Sequence, residues 1–430
     1  MSDHNPKASL KRTRIASTHP VLKRPRGVPQ QCFRWVGQVF RGFEFDNNDT
    51  VSLLLQKLRE YLHKPSFWNQ NVSSTIGERI GRGAFGCVYR GSLMGRRGHV
   101  AVKTMSIHDA TDTEHMMIET VIQGLLFSFY ESKHGWAPVH HPFPEIYAVQ
   151  GRRQEWVTYM FLFQKPTLHE TRSMQILLQI ASVLQYTNDQ SDSIRFMHGD
   201  MHWGNLMERA NSKSVSIQGI DAGKECTIID FGFSWLQMPD GDVLVDQHTP
   251  LSQATTFNPQ YDLRILLVGA YFEHCVDHQS YREIPKDQLS SYARFLLRVI
   301  NTARSQSRRF HLSVDLKTIR LWTKLVRGLS THSNVEFDAW WASVRHDNPL
   351  LPTPEHEWAS LVFPFLRLTR QLWENVWNDG QWPPLGHMQY QYAVNNRSTH
   401  VFDPSNLLPL VVQQIRSNNG VIVHENSEAV

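Results

Sequence analysis

The sequence predicts an α+β fold of two unequal lobes, a small β-rich one followed by a larger helical one. Three observations carry this. From Ile76 to about Tyr159, short apolar runs such as Val100-Ala101-Val102 are bounded by turn residues and interrupted by one helical pattern, from about Thr113 to Phe129. After Leu168 the apolar spacing turns mainly helical, with one further strand pair expected around Val215–Ile217 and Thr227–Ile229. A chain of 430 residues with 41% apolar and 11% aromatic content can bury one large core, or two lobes sharing a cleft.

The boundaries follow from composition. Residues 1–30 contain seven Lys/Arg against Asp3 alone, a charge of +6, so the remainder carries −2 of the net +4. Four prolines punctuate this stretch, which is expected to be a disordered basic tail. Lys11-Arg12 and Lys23-Arg24-Pro25-Arg26 have the spacing of a bipartite nuclear-import signal, or form a merely solvated tail. Because the body is slightly acidic, a nucleic-acid-binding face is disfavoured. Residues 31–75 form an N-terminal extension, in which Asp49 or Thr50 caps a helix with Leu54, Leu55, Leu58 and Leu62 at 3–4 spacing. The first lobe and its connection occupy 76–165, the second lobe 166–395, and 396–430 are expected to be a C-terminal tail that loses periodicity and ends in polar residues.

Cys32, Cys87, Cys226 and Cys275 are too far apart for a metal knuckle and too sparse for a disulfide framework, which favours a reducing, intracellular compartment. That means the cytoplasm, and the nucleus if the tail is an import signal. The longest apolar runs, such as Ile265 to Phe272, fall short of the roughly 20 residues of a membrane helix, so a soluble protein is expected.

Gly81, Gly83 and Gly86 stand in the pattern G-x-G-x-x-G-x-V, completed by Val88, at the junction of two strands. Glycines there let backbone N–H groups approach a phosphate with no Cβ in the way. A dinucleotide-binding turn would lead into a helix, whereas here the chain continues as strand into His99-Val100-Ala101-Val102-Lys103. Lys103 ends an apolar strand as a cation in need of an anion, and the next helix offers Glu114 and Glu119. Glu119 is preferred, sixteen residues further on, although Glu114 has the better apolar neighbours.

The stretch His198-Gly199-Asp200-Met201-His202-Trp203-Gly204-Asn205, followed by Asp230-Phe231-Gly232, completes the set. Together these residues resemble the protein-kinase-like superfamily, over about residues 76–300. The resemblance implies a bilobal protein-kinase-like fold and ATP- and Mg²⁺-dependent phosphoryl transfer. Asp200 would accept the proton of the attacking hydroxyl, Asn205 and Asp230 would hold magnesium, and Lys103 with Glu119 would position phosphates. It further implies that Val88 and Ala101 cover the adenine from one side and Met207 from the other. Met160 would gate the back of the pocket, and Leu162 would lie at the hinge. Asp262 would anchor the catalytic loop.

Three departures are visible. Gly199 replaces the arginine that usually precedes the catalytic aspartate. His202 replaces a phosphate-contacting lysine, as in haspin and in aminoglycoside and choline phosphotransferases. No A-P-E element lies between Phe233 and Tyr261. The H-G-D-x-H-x-G-N form resembles divergent kinase-like proteins, including those of large DNA viruses. The favoured expectation is a Ser/Thr protein kinase acting on a protein substrate; a small-molecule phosphotransferase and a nucleotide-binding pseudokinase are the alternatives. His198 and His202 lie in a glycine-flanked loop rather than on a helix face, which argues against a metal pair. The tryptophans Trp322, Trp340, Trp341, Trp358, Trp373 and Trp377 are expected to be core residues.

Overall fold

The computed structural model describes residues 30–44, 50–70, 72–83, 86–134, 141–152, 154–188, 194–210, 212–239, 241–245, 257–275, 283–306 and 400–418. The basic tail before residue 30, the tip of the glycine turn at 84–85 and the tryptophan-rich stretch 307–399 lie outside them. Over the described residues the chain has the expected α+β architecture, a small β-rich lobe followed by a larger, mainly helical one.

Three helices precede the sheet: α1 (Gln30–Val39), α2 (Val51–Leu62) and α3 (Pro65–Trp68). Of the two candidate caps, Thr50 takes the role, its Oγ1 accepting from Leu53 N at 3.2 Å. Leu54, Leu55, Leu58 and Leu62 are buried. Leu54 and Leu58 are fully buried, each contributing about 1.5–3 kcal/mol.

The first lobe is an antiparallel sheet in the order β1-β2-β3-β5-β4, from β1 (Ser74–Gly83), β2 (Gly86–Leu93), β3 (Val100–Ser106), β4 (Ile146–Arg152) and β5 (Glu155–Phe161). Its period-2 alternation separates two faces. Val100 and Val102 pack with Ala148, Val157 and Tyr159 in one cluster. One residue out of phase, Met105 joins the main core with helix α4 (Ala110–His134), and Lys103 shares its face. Helix α4 is longer at both ends than the expected 113–129. Its start is fixed by a reciprocal cap, Asp112 N donating to Asp109 Oδ1 and His108 N to Asp112 Oδ2.

The second lobe is built on α5 (Glu170–Asn188), which starts two residues beyond Leu168 and is buried along most of its length. Then come β6 (Arg195–Met197), β7 (Leu206–Glu208), β8 (Ser214–Ile217), β9 (Ile220–Lys224), β10 (Cys226–Ile228), β11 (Trp235–Gln237) and β12 (Val243–Val245), followed by α6 (Tyr261–Cys275) and α7 (Ser291–Gln306). The expected pairing of Val215–Ile217 with Thr227–Ile229 is corrected. β8 pairs with β9 across Gln218-Gly219, whose φ values of 51° and 73° make a tight hairpin turn, while β10 pairs with β7.

The expected loss of periodicity after residue 395 also needs correction, because Pro404–Asn418 form a helix, α8, packed on α5, while residues 419–430 lie outside the described residues. Leu407, Leu408, Val411, Val412 and Ile415 are buried at 3–4 spacing, and this pattern outweighs the interior Pro409. Among the described residues no helix is long and apolar enough to cross a membrane.

Candidate active site

Four separate elements converge here: β3, α4, the segment at Asp230 and the loop from His198 to Asn205. Lys103, in register with Val88 on β2 and Thr158 on β5, extends from β3 toward α4. Its Nζ lies 2.5 Å from Glu119 Oε1 and 3.2 Å from Asp230 Oδ1. Burial alone would lower the Lys103 pKa, but Asp230 and Glu119 more than offset it and hold the ammonium charged. Burial likewise opposes ionisation of Asp230, and Lys103 outweighs it, keeping that carboxyl below the usual carboxylate range. The Asp230 side chain retains 42% exposure, against 6% for Glu119, so Asp230 is the carboxylate open to the cleft. Glu114, the other helix acid, instead takes a bidentate bond from Arg59 of α2, with N···O distances of 2.6–3.0 Å.

Asp230 has φ 67°, a left-handed backbone uncommon for a residue with a side chain. The turn is braced on both sides. Ile229 N donates to Asn205 O at 2.9 Å, and Ile229 O meets His198 Nε2 at 2.9 Å. Since that carbonyl only accepts, His198 Nε2 carries a proton and Nδ1 is left to accept from Asp200 N at 3.3 Å. His198 thus ties Asp200 to the strand before Asp230.

The loop from His198 to Asn205 hangs on Asp262 in the first turn of α6. Its Oδ2 accepts from His198 N at 2.7 Å and its Oδ1 from Gly199 N at 3.0 Å. Burial raises the Asp262 pKa, opposed by His198 and these backbone donors. Asn205 Nδ2 donates to Asp200 O at 3.0 Å and to Oδ2 at 3.4 Å, leaving its amide oxygen as the donor atom for a cation. His202 Nδ1 accepts from Gly204 N at 3.0 Å, with Nε2 3.6 Å from Asp200 Oδ2.

Gly81, Gly83 and Gly86 form the closing rungs of β1 and β2, pairing as Gly81 with Val88 and Gly83 with Gly86. A Cβ at Gly86 would stand 2.1 Å from Thr104 O, so the start of β2 approaches β3 this closely only with glycine there. Ala101 and Met160 are register partners on β3 and β5. Leu162 follows the end of β5, and Gln164 bridges Glu208 through two backbone bonds of 2.8 and 3.0 Å, which brings β7 and its Met207 to the connection between the lobes. Sequence reasoning missed that bridge and the Arg59–Glu114 pair, for which no local signal exists. A cavity of about 590 Å³ lies elsewhere, between α2 and the turn into α4, where Arg59, Trp68 and Glu114 line it. None of the converging residues lines it.

Among the described residues no three His, Cys, Asp or Glu side chains gather with metal-ligand geometry. The oxygen donors of Asp230 and Asn205 suit a hard cation completed by substrate oxygens and water, as magnesium prefers, rather than an all-protein cage.

No protein-family model matches the chain, and no curated protein matches it by sequence. Among solved structures it is similar to a twitchin kinase fragment from C. elegans, an autoregulated protein kinase with immunoglobulin domains, at 17% identity and TM-score 0.27, over 37% of this chain and 33% of that one. It is also similar to a twitchin kinase region from C. elegans at 18% identity and TM-score 0.27, over 37% of this chain and 26% of that one. The chain thus spans about a third or less of the solved chains it matches, and the site is read from its own geometry.

Proposed function

We propose that this chain is an ATP- and Mg²⁺-dependent phosphotransferase, and that its acceptor is a serine or threonine hydroxyl of a protein. The observation that carries the reading is Lys103, held between Glu119 at 2.5 Å and Asp230 at 3.2 Å, with Ile229 beside Asp230 bonded to Asn205 of the loop that fixes Asp200 and Asn205 together. In this reading Asp200 orients the acceptor hydroxyl and takes its proton, with Asn205 Nδ2 fixing the carboxylate. Lys103 steadies phosphate oxygens, and Glu119 fixes the Lys103 rotamer. Asp230 and Asn205 would hold the magnesium, which when bound neutralises phosphate charge. Val88, Ala101 and Met207 would enclose the adenine, Met160 would back it and Leu162 would border it. The chain would be a divergent kinase, resembling the kinase-like proteins of large DNA viruses.

The test is incubation with labelled ATP, magnesium, generic protein substrates and the chain itself. Label on serine or threonine, absent with Asp200→Asn, supports the reading. His202 beside Asp200 favours a second reading, a small-molecule hydroxyl as acceptor, since the H-G-D-x-H form resembles small-molecule phosphotransferases. Label transfer to such acceptors, with proteins unlabelled, would select it. Tight nucleotide binding without transfer to any acceptor would leave a pseudokinase.

A further inference from the structure

Lys103 draws its two carboxylates from different elements: Glu119 from α4, and Asp230 from the segment that runs on into β11 and β12. Helix α2 touches both. At its first turn, Ser52 N and Oγ donate to Asp242 Oδ2 at 3.1 and 2.9 Å, and Asp242 lies in the turn between β11 and β12. Toward its end, Arg59 Nε and Nη2 grip both oxygens of Glu114, five residues before Glu119 on α4. Ser52 and Arg59 are seven residues apart, about two helical turns, so they lie on one side of α2 roughly 10 Å apart. The leucine stripe of the helix is buried against the body, which makes α2 a fixed bar. β11 is in turn paired with β6, Trp235 opposite Met197, one residue before His198 of the catalytic loop.

We propose that α2 sets the spacing of the two carboxylates around Lys103, with Ser52 and Arg59 as positioning residues for the reaction. The proposal rests on the phosphotransferase reading. Arg59 and Glu114 keep side-chain exposures of 46% and 23%, so the pair contributes little as an ion pair and acts through its bidentate geometry. Neither residue touches the cleft.

The experiment uses the full chain with Ser52→Ala, Arg59→Glu, Glu114→Arg and the Arg59→Glu/Glu114→Arg swap. Turnover is measured with labelled ATP, and amide hydrogen exchange is followed across α4 and β11–β12. The expected result is a fall in kcat of about two- to fivefold for Ser52→Ala and more for Arg59→Glu, with KM for the acceptor unchanged. Amides of α4 around Glu119 should exchange faster, and the swap should restore both readouts. A merely structural role would lower the melting temperature while leaving kcat intact well below it; that outcome overturns the proposal. So does unchanged α4 exchange in Arg59→Glu. Should the wild type transfer phosphate to no acceptor, the phosphotransferase reading fails by itself, and the exchange of α4 with its rescue by the swap still decides whether α2 positions Glu119.

Discussion

The carbonyl oxygen of Phe233 stands where a side chain at Gly199 would have to go: a Cβ there would lie 2.2 Å from that oxygen, and Gly199 has φ +80°. The residue before Asp200 is therefore glycine for a local reason. The segment after Asp230 crosses directly over the loop, and Ser234 Oγ donates to His198 O at 3.1 Å in the same crossing. Gly199→Ala is expected to cost more than about 2 kcal/mol through the left-handed backbone and the clash. Displacing Asp200 by even an ångström should lower turnover about a hundredfold. Thermal unfolding and kcat, measured together, check both effects.

Asp230 gives a pH dependence of definite sign. Its carboxyl is held below its ordinary value of 3.8, chiefly by Lys103 acting against burial. A depressed carboxylate contributes stability that is present above the unfolded-state pKa and lost as pH falls through the folded one. Asp230→Asn should accordingly unfold more easily than the wild type from neutrality down to about pH 5, and the gap should close below about pH 4. Urea midpoints across that range measure it. A gap that widened in acid would contradict the pairing with Lys103.

Gly124, inside α4, lies under the indole of Trp35, and a Cβ would stand 1.8 Å from a ring carbon. Gly124→Ala raises helix propensity yet should destabilise the chain by about 1–3 kcal/mol through overpacking. Trp35→Leu in the same chain should relieve most of that loss. Equilibrium unfolding of the two variants and the double variant tests the contact.

Arg172 and Glu208 form a buried pair at 2.7 Å, 6% and 8% exposed, where α5 meets β7. Arg172 also donates to Ala222 O and Lys224 O, so it holds the β8–β9 hairpin on α5 as well. Glu208→Ala leaves a buried guanidinium without its carboxylate and should cost about 3–5 kcal/mol. Arg172→Met with Glu208→Leu should be milder than Glu208→Ala alone, as read by denaturant midpoints.

What was legible in the sequence was whatever is encoded locally. The glycines at 81, 83 and 86 and the His198–Asn205 loop are short runs whose residue types follow from backbone approach and charge placement, whereas the strand expected to end at Lys103 runs on to Ser106 because its ladder with β5 continues. That a strand-rich stretch with one helix precedes a mainly helical one followed from period alone. Choosing between Glu114 and Glu119 needed a tertiary partner: Arg59 occupies Glu114, from a helix that sequence reading could only dock somewhere on the lobe. The strand mispairing had a local cause that was overlooked, since Gln218-Gly219 closes β8 onto its immediate successor. Helix α8 carries a leucine and valine stripe around Pro409 whose burial against α5 depends on the finished lobe, so the sequence alone reads there as a loss of periodicity. The bond from Ser52 to Asp242 spans 190 residues and leaves no trace in either neighbourhood.

In the proposed phosphotransferase reading Asp200 takes the proton of an acceptor hydroxyl beside a nucleotide held by Lys103. Its most direct test is a single-turnover assay of labelled ATP with magnesium on the wild type and Asp200→Asn, with nucleotide affinity measured on the same samples. Transfer by the wild type, a loss of at least about a hundredfold in the variant, and equal nucleotide binding by both are expected. Transfer by Asp200→Asn at the wild-type rate would contradict it.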